Sequence, residues 1–125
     1  MSRFLVDTHA LLWWLDDAPA LSASAREAIA DPAAEPLVST ASLWEMAIKR
    51  SLGKLTVPDE LPEDIVDAGF GWLPLQAEHA WTARELPFHH RDPFDRLLAA
   101  QALVERLPVI TRDGHFAAYG VKTRW

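Results

Sequence analysis

The sequence predicts an α/β protein of three layers, α/β/α, built on a short, mostly parallel sheet of four to five strands. Three observations predict it. Four apolar runs of three to five residues, Phe4–Val6, Pro36–Thr40, Trp72–Leu75 and Pro108–Thr111, are too short for helices and suit buried strands. Between them lie stretches whose apolar residues recur at helical spacing. Strands alternating with helices require right-handed crossovers, and therefore a parallel sheet covered on both faces. A chain of 125 residues, half of them hydrophobic, can fill one core and not two, so residues 1–125 are expected to form a single domain.

Taken in order, Phe4-Leu5-Val6 is the first strand, ending at Asp7-Thr8, both good N-caps. The helix that follows places Leu11, Trp14, Leu15 and Ala18 on one face. Ser22–Ile29 is a second short helix, with Ser24 and Glu27 spaced as a capping box. Pro36–Thr40 is the second strand. It enters a helix from Ala41 to about Leu52, which Gly53 stops. Lys54–Pro62 is rich in turn residues, and Glu63–Ala68 is helical. Trp72–Leu75 is a strand at a sheet edge, because Pro74 cannot donate to a ladder. Ala77–Leu86 is helical and residues 87–91 form a loop. Asp92 before Pro93 is a strong helix start, an N-cap with proline at the first helical position. That helix runs through Leu97, Leu98, Ala100, Gln101 and Val104 to the strand Pro108–Thr111.

The net charge of −6 excludes a basic protein that holds nucleic acid by bulk electrostatics. The absence of cysteine excludes a disulfide scaffold, a cysteine nucleophile and a zinc finger, and suits a reducing cytosol. No apolar stretch approaches the roughly 20 residues that span a bilayer, and the N-terminus lacks the pattern of a secretory leader. A cytoplasmic protein with no membrane association is expected.

Ligands of parallel α/β sheets bind at the carboxyl ends of the strands. Asp7 follows the first strand and Asp113 follows the last. Asp95 lies in the first turn of the helix leading into that last strand, and Glu45 in the early turns of the helix after Val38. All four can face one end of the sheet. Two like charges about 4 Å apart repel by about 4 kcal/mol at an effective dielectric near 20, which must be offset by protonation or by a cation. Oxygen ligands without cysteine select a hard ion, Mg2+ or Mn2+, and such an ion serves phosphodiester hydrolysis. Each acid also has a purely local explanation. Asp7 can cap a helix, Glu45 can close a capping box with Ser42 or pair with Lys49 on the surface, and Asp113 before Gly114 can be a turn residue. Asp95 is the hardest to explain locally, since Asp92 already serves as the cap. The local explanations together leave the shared location an accident.

At these residues the chain resembles the PIN-domain ribonucleases, and among them the VapC-like toxins of type II toxin–antitoxin pairs. The resemblance rests on Leu5–Trp13, Ser39–Lys49, His90–Ala102 and Thr111–Phe116, which occur in the family's order and span essentially the whole chain. It implies a metal site of Asp7, Glu45, Asp95 and Asp113, with Thr8 and Thr111 supporting the acids and Asp92 an extra acid beside them. It further implies endoribonucleolytic cleavage by metal-activated water, an antitoxin partner and a second copy of the chain. Lys49, Arg50, Arg91, Arg96 and Arg112 are the basic residues nearest these acids; one or more can hold the RNA backbone, the alternative being that they neutralise nearby carboxylates or are solvated. Six tryptophans are more than so small a core buries completely, so some are expected to line a groove or dimer face.

Two other classes compete. A receiver-like phosphoacceptor also gathers aspartates at strand ends, but the chain has no paired acids after its first strand and no lysine after a late one. A non-catalytic protein of the same fold, acting only through its partner, would keep the architecture without the chemistry. Metal-free cleavage by His9, His79, His89, His90 or His115 is the weakest alternative, since histidines in surface loops are common.

Overall fold

The computed structural model describes residues 2–87 and 92–125. Five strands, β1 (Arg3–Val6), β2 (Glu35–Ser39), β3 (Gly71–Leu73), β4 (Val109–Ile110) and β5 (Thr123–Arg124), form one sheet in the order β3-β2-β1-β4-β5. Every adjacent pair is parallel. The helices are α1 (Thr8–Leu15), α2 (Ala23–Ala30), α3 (Thr40–Ser51), α4 (Leu61–Asp67), α5 (Ala77–Thr82), α6 (Pro93–Glu105) and α7 (His115–Ala118), with a 3-10 turn at Ala83–Glu85 after α5.

Strand alternation divides the core in two. Phe4, Val6, Val38 and Ile110 face one side, where they pack with Ala10, Leu11, Ile29, Met46, Ile65 and Phe70. Leu5 and Val109 face the other, against Leu98, Ala99, Ala102, Phe116 and Tyr119. The sheet is therefore buried on both faces, as the nearly unbroken apolar β1 and β4 require. The edge position expected for the third strand holds. Its boundaries shift to Gly71–Leu73, because Pro74 lies just past the ladder rather than within it. Two elements were not foreseen, the one-turn α7 and β5, whose two residues are both exposed.

Local signals decide most helix ends, with a correction at the start of α2. Gly53, at φ +73°, terminates α3 as expected, in a left-handed conformation that glycine adopts without steric cost. The start of α2 is set by Ser22, whose hydroxyl accepts from the Ala25 N–H, and not by a Ser24–Glu27 capping box. Ser24 is already inside the helix.

Strand order reverses at β1: β2 leaves to one side of it and β4 returns on the other. The C-terminal ends of β1 and β4 thus border the crevice where parallel sheets bind ligands. A buried polar tie fixes the flank of that crevice. Ser39, last residue of β2 and N-cap of α3, donates from Oγ to Gln101 Oε1 at 2.5 Å. The Gln101 amide reaches back toward the Leu73 and Pro74 carbonyls at 3.5 and 3.4 Å. One side chain of α6 therefore registers β2, α3 and β3. Gln101→Leu leaves the Ser39 hydroxyl without its buried acceptor and is expected to cost about 2–3 kcal/mol. A lower urea midpoint with unchanged slope checks this; an unchanged midpoint would show that the tie is energetically idle.

Candidate active site

The site starts from the helix caps. Asp7 is the N-cap of α1, and its Oδ1 accepts from the Ala10 N–H at 2.7 Å. Its Oδ2 accepts from the Thr111 hydroxyl, which stands at the end of the neighbouring strand β4. Thr111 Oγ1 in turn accepts from the Asp113 N–H at 3.0 Å. One threonine thus joins the two acids that follow β1 and β4. The Asp113 carboxylate accepts from the His115 N–H at 2.8 Å and lies 2.6 Å from His115 Nδ1. It is a turn aspartate, as its local explanation held, and it also lies near enough to raise the pKa of Asp7 and Asp95.

Glu45 is buried on α3. Its Oε1 lies 2.9 Å from the Thr8 hydroxyl, which is also 2.9 Å from Ser42 Oγ, and its Oε2 accepts from Lys49 Nζ at 2.8 Å. The Lys49 pair expected on the surface is half inside: the Lys49 side chain is 42% exposed and the Glu45 side chain 5%. No capping box forms at Ser42, because Ser39 is the cap, and Ser42 instead lies buried against Thr8. Thr8 and Thr111, read as supports from the sequence, each touch one of the acids. Asp92 caps α6 by accepting from the Phe94 and Asp95 N–H groups at 2.9 and 3.4 Å.

The electrostatics show how close these groups are. Burial and then the charges of Asp92, Glu45, Asp113 and Asp7 push the Asp95 carboxyl up to about 7. Burial also raises Asp7, opposed by Thr111 and the Ala10 N–H. Lys49 is raised by its hydrogen bond to Glu45, with Asp92 and Asp95 adding to the field. Four elements therefore bring Asp7, Glu45, Asp95 and Asp113 into one field. The acids do not form a closed cage: among the described residues no three carboxylates or imidazoles converge as ready metal ligands. Each of Asp7, Glu45 and Asp113 takes hydrogen-bond donors of its own. All of the available donors are hard oxygens, which match Mg2+ or Mn2+ in chemistry.

The other candidate residues separate. Arg112 lies over the Trp13 ring, 4.7 Å from its centroid, beside a cleft of about 140 Å3 bordered by Asp7, His9 and Asp113. Arg96 is committed to the Pro87, Ala83 and Leu86 carbonyls at 2.9–3.1 Å, a clamp on the chain before α6 and a poor fit to the backbone-contact role expected for it. Arg50 pairs with Asp59 on the exposed surface. Arg91, His89 and His90 lie outside the described residues. His79 is buried and bonded to Gln76 N and Glu105, a structural role. Sequence reasoning passed over Ser42 and Trp13 as site residues. The i, i+4 spacing of His9 and Trp13 could have flagged the latter.

The field on Asp95 has a stability consequence. Unfolded, the group titrates near its ordinary 3.8; folded, near 7. Between those values the folded protein holds a proton the unfolded chain has lost, so stability falls as pH rises through this window and the loss is complete above it. A carboxylate in the first turn of a helix gains about 0.3–1 kcal/mol from the helix dipole, which the shift outweighs. Asp95→Asn, measured in chelator, should add about 1–2 kcal/mol at about pH 8, after discounting for partial exposure, and less at about pH 5. A melting temperature lower than wild type at the higher pH would show that hydrogen bonding to Asp95 prevails over repulsion.

Comparison with known proteins agrees with the geometry. A family profile described as "PIN domain" matches residues 4–122. No curated protein sequence matches the chain. Among solved structures, VapBC2 from Rickettsia felis bound to a promoter DNA fragment aligns at TM-score 0.69 and 15% identity, over 98% of this chain and 97% of that one. DNA-bound VapBC from Salmonella typhimurium aligns at 0.69 and 17%, over 99% and 98%. FitAcB from Neisseria gonorrhoeae aligns at 0.59 and 18%, over 96% and 95%. At these identities the likeness establishes the fold.

Proposed function

The chain belongs to the PIN-domain family, and we propose that it is a metal-dependent endoribonuclease acting as the toxin of a toxin–antitoxin pair. The observation that carries this reading is the common field of Asp7, Glu45, Asp95 and Asp113 at the β1–β4 crevice, expressed in the raised pKa of Asp95. Such a concentration of negative charge serves a cation better than it serves folding. We assign the four carboxylates as ligands of Mg2+ or Mn2+. When bound, such an ion activates water and offsets the charge of a transferring phosphate.

The chain's own residues supply orientation. Thr111 and the Ala10 N–H hold the two oxygens of Asp7, and Thr8 and Lys49 hold those of Glu45. The His115 N–H fixes Asp113. These contacts hold Asp7, Glu45 and Asp113 beside the crevice before substrate arrives. Asp95, raised by its acidic neighbours, would ionise and serve as a ligand when a cation offsets their charge. In-line attack of water on phosphorus would break the P–O3′ bond, with a proton passing to the departing 3′-oxygen, and leave a 5′-phosphate and a 3′-hydroxyl. Lys49 and Arg112 are the cations best placed to position the RNA backbone, which phosphate contacts do without reading sequence.

Partners follow from the surface and the relatives. A further aligned structure, at TM-score 0.60 and 16% identity, is described as a toxin–antitoxin complex from Klebsiella pneumoniae, which supports an antitoxin that covers this site. None of the six tryptophans is fully buried, and Trp44 and Trp81 are 60% and 68% exposed. Such surface supports a homodimer face. No helix among the described residues is long and apolar enough to cross a membrane.

Purified protein with Mg2+ or Mn2+ should cut RNA, and chelator or Asp95→Asn should slow it by at least about 100-fold. Cutting that persists in chelator would overturn the metal assignment. Light scattering should give twice the chain mass; a monomer at working concentration would refute the dimer.

A further inference from the structure

The cleft beside the acids carries a feature that metal binding does not use. His9 and Trp13, one helical turn apart on α1, stack with centroids 5.9 Å apart and planes at 28°. The Arg112 guanidinium lies 4.7 Å from the Trp13 centroid, and Trp125 packs edge-on against the same indole at 5.7 Å. His9 and Arg112 are exposed while Trp13 is half-buried, so the indole is a fixed backing with two flat, outward-facing groups on it. The same three side chains border the small cleft together with Asp7 and Asp113. The Arg112 guanidinium is thus held over the indole by cation–π contact next to the acids.

We propose that the His9–Trp13–Arg112 stack is a subsite for one unpaired nucleobase flanking the scissile phosphate. The inference rests on the ribonuclease reading and adds that the RNA must be single-stranded where it is cut. Unstacked bases bind on aromatic rings and on guanidinium planes, whereas a base inside a duplex presents no free face. The cleft, about 140 Å3, is small and matches one base rather than an extended surface. The arrangement also solves a charge problem. A polyanion approaching clustered carboxylates is repelled, and stacking supplies attraction that this repulsion does not cancel. Arg112 adds positive charge at the same point. The simpler account is that Arg112 merely covers Trp13, in which case any long cation would serve as well.

Binding of a fluorescein-labelled single-stranded 12-mer RNA of mixed sequence, followed by anisotropy in chelator, tests this without turnover. The wild type should prefer the single strand to the matching duplex. Arg112→Lys keeps the charge and removes the plane, and should weaken single-strand binding by about 5- to 100-fold. Trp13 also packs on the core, so the companion probe alters the RNA instead of the protein. A 12-mer lacking its bases should bind the wild type more weakly by a similar factor, and Arg112→Lys should show little further loss with it. Full affinity in Arg112→Lys, or equal binding of base-less and normal strands, overturns the subsite. If the wild type with Mn2+ still cuts RNA in that case, the ribonuclease reading stands alone. If it neither binds nor cuts, both fall.

Discussion

Repulsion among carboxylates gathered at the carboxyl end of β1 and β4 is the constraint around which the surrounding structure is arranged. The parallel order β3-β2-β1-β4-β5 places the reversal at β1 and so brings the residues after β1 and β4 together. Left to themselves, buried like charges would spread or protonate. The fold resists the first with Thr111 between Asp7 and Asp113, with Thr8 and Lys49 on Glu45, and with the Ser39–Gln101 tie between the α3 and α6 flanks. The second is visible in Asp95, the acid in the middle of the field, whose carboxyl is held near neutrality. The structure therefore stores an unfavourable term at one place and surrounds it with donors, an arrangement with a functional rather than a stabilising logic.

How much of this was legible in the letters depends on whether local physics decided the element. β1 and β4 are buried on both faces, so unbroken apolar runs marked them. Asp92-Pro93 marked α6 because cap chemistry is local, and the carboxylate does accept from the Phe94 N–H. The same local rules misread Ser24–Glu27 and Ser42–Glu45, where an equally good cap stood earlier, at Ser22 and Ser39. Elements that depend on tertiary contact were invisible: β5 is two exposed residues paired to β4, and α7 is a single turn around buried Phe116.

At the site itself the order of the elements indicated a shared location for the four acids but not what holds them. Threonines at positions 8 and 111 could be named as supports. That the Thr111 hydroxyl spans from Asp7 to the Asp113 N–H is a fact of register between β1 and β4, which spacing cannot supply. The Glu45–Lys49 pair shows the opposite case. Spacing predicted the contact, yet its weight changes because Glu45 is buried. A surface i, i+4 pair contributes about 0.2–0.5 kcal/mol, whereas removing the partner of a buried charge costs several.

If the chain cuts RNA as proposed, a net charge of −6 confines its attraction for the polyanion to one spot. Bulk steering is unavailable, so affinity has to come from groups within a few ångströms of the chemistry. Two sorts are in place there. Lys49 reaches into the field of Glu45, Asp92 and Asp95, where one positive charge partly offsets three negative ones. Arg112 stands over Trp13 on the opposite border, beside Asp7 and Asp113. Neither cation balances the acids, and the remaining deficit is what a divalent ion would match. On the proposed reading, an ion held by the four acids would remove the repulsion that keeps phosphate out, so ion and substrate would favour each other. Under that coupling, an acidic surface is no obstacle to nucleic-acid chemistry. On the proposed reading, a bound ion would add to the attraction that Lys49 and Arg112 already supply at the site, and contact elsewhere on the protein would stay weak.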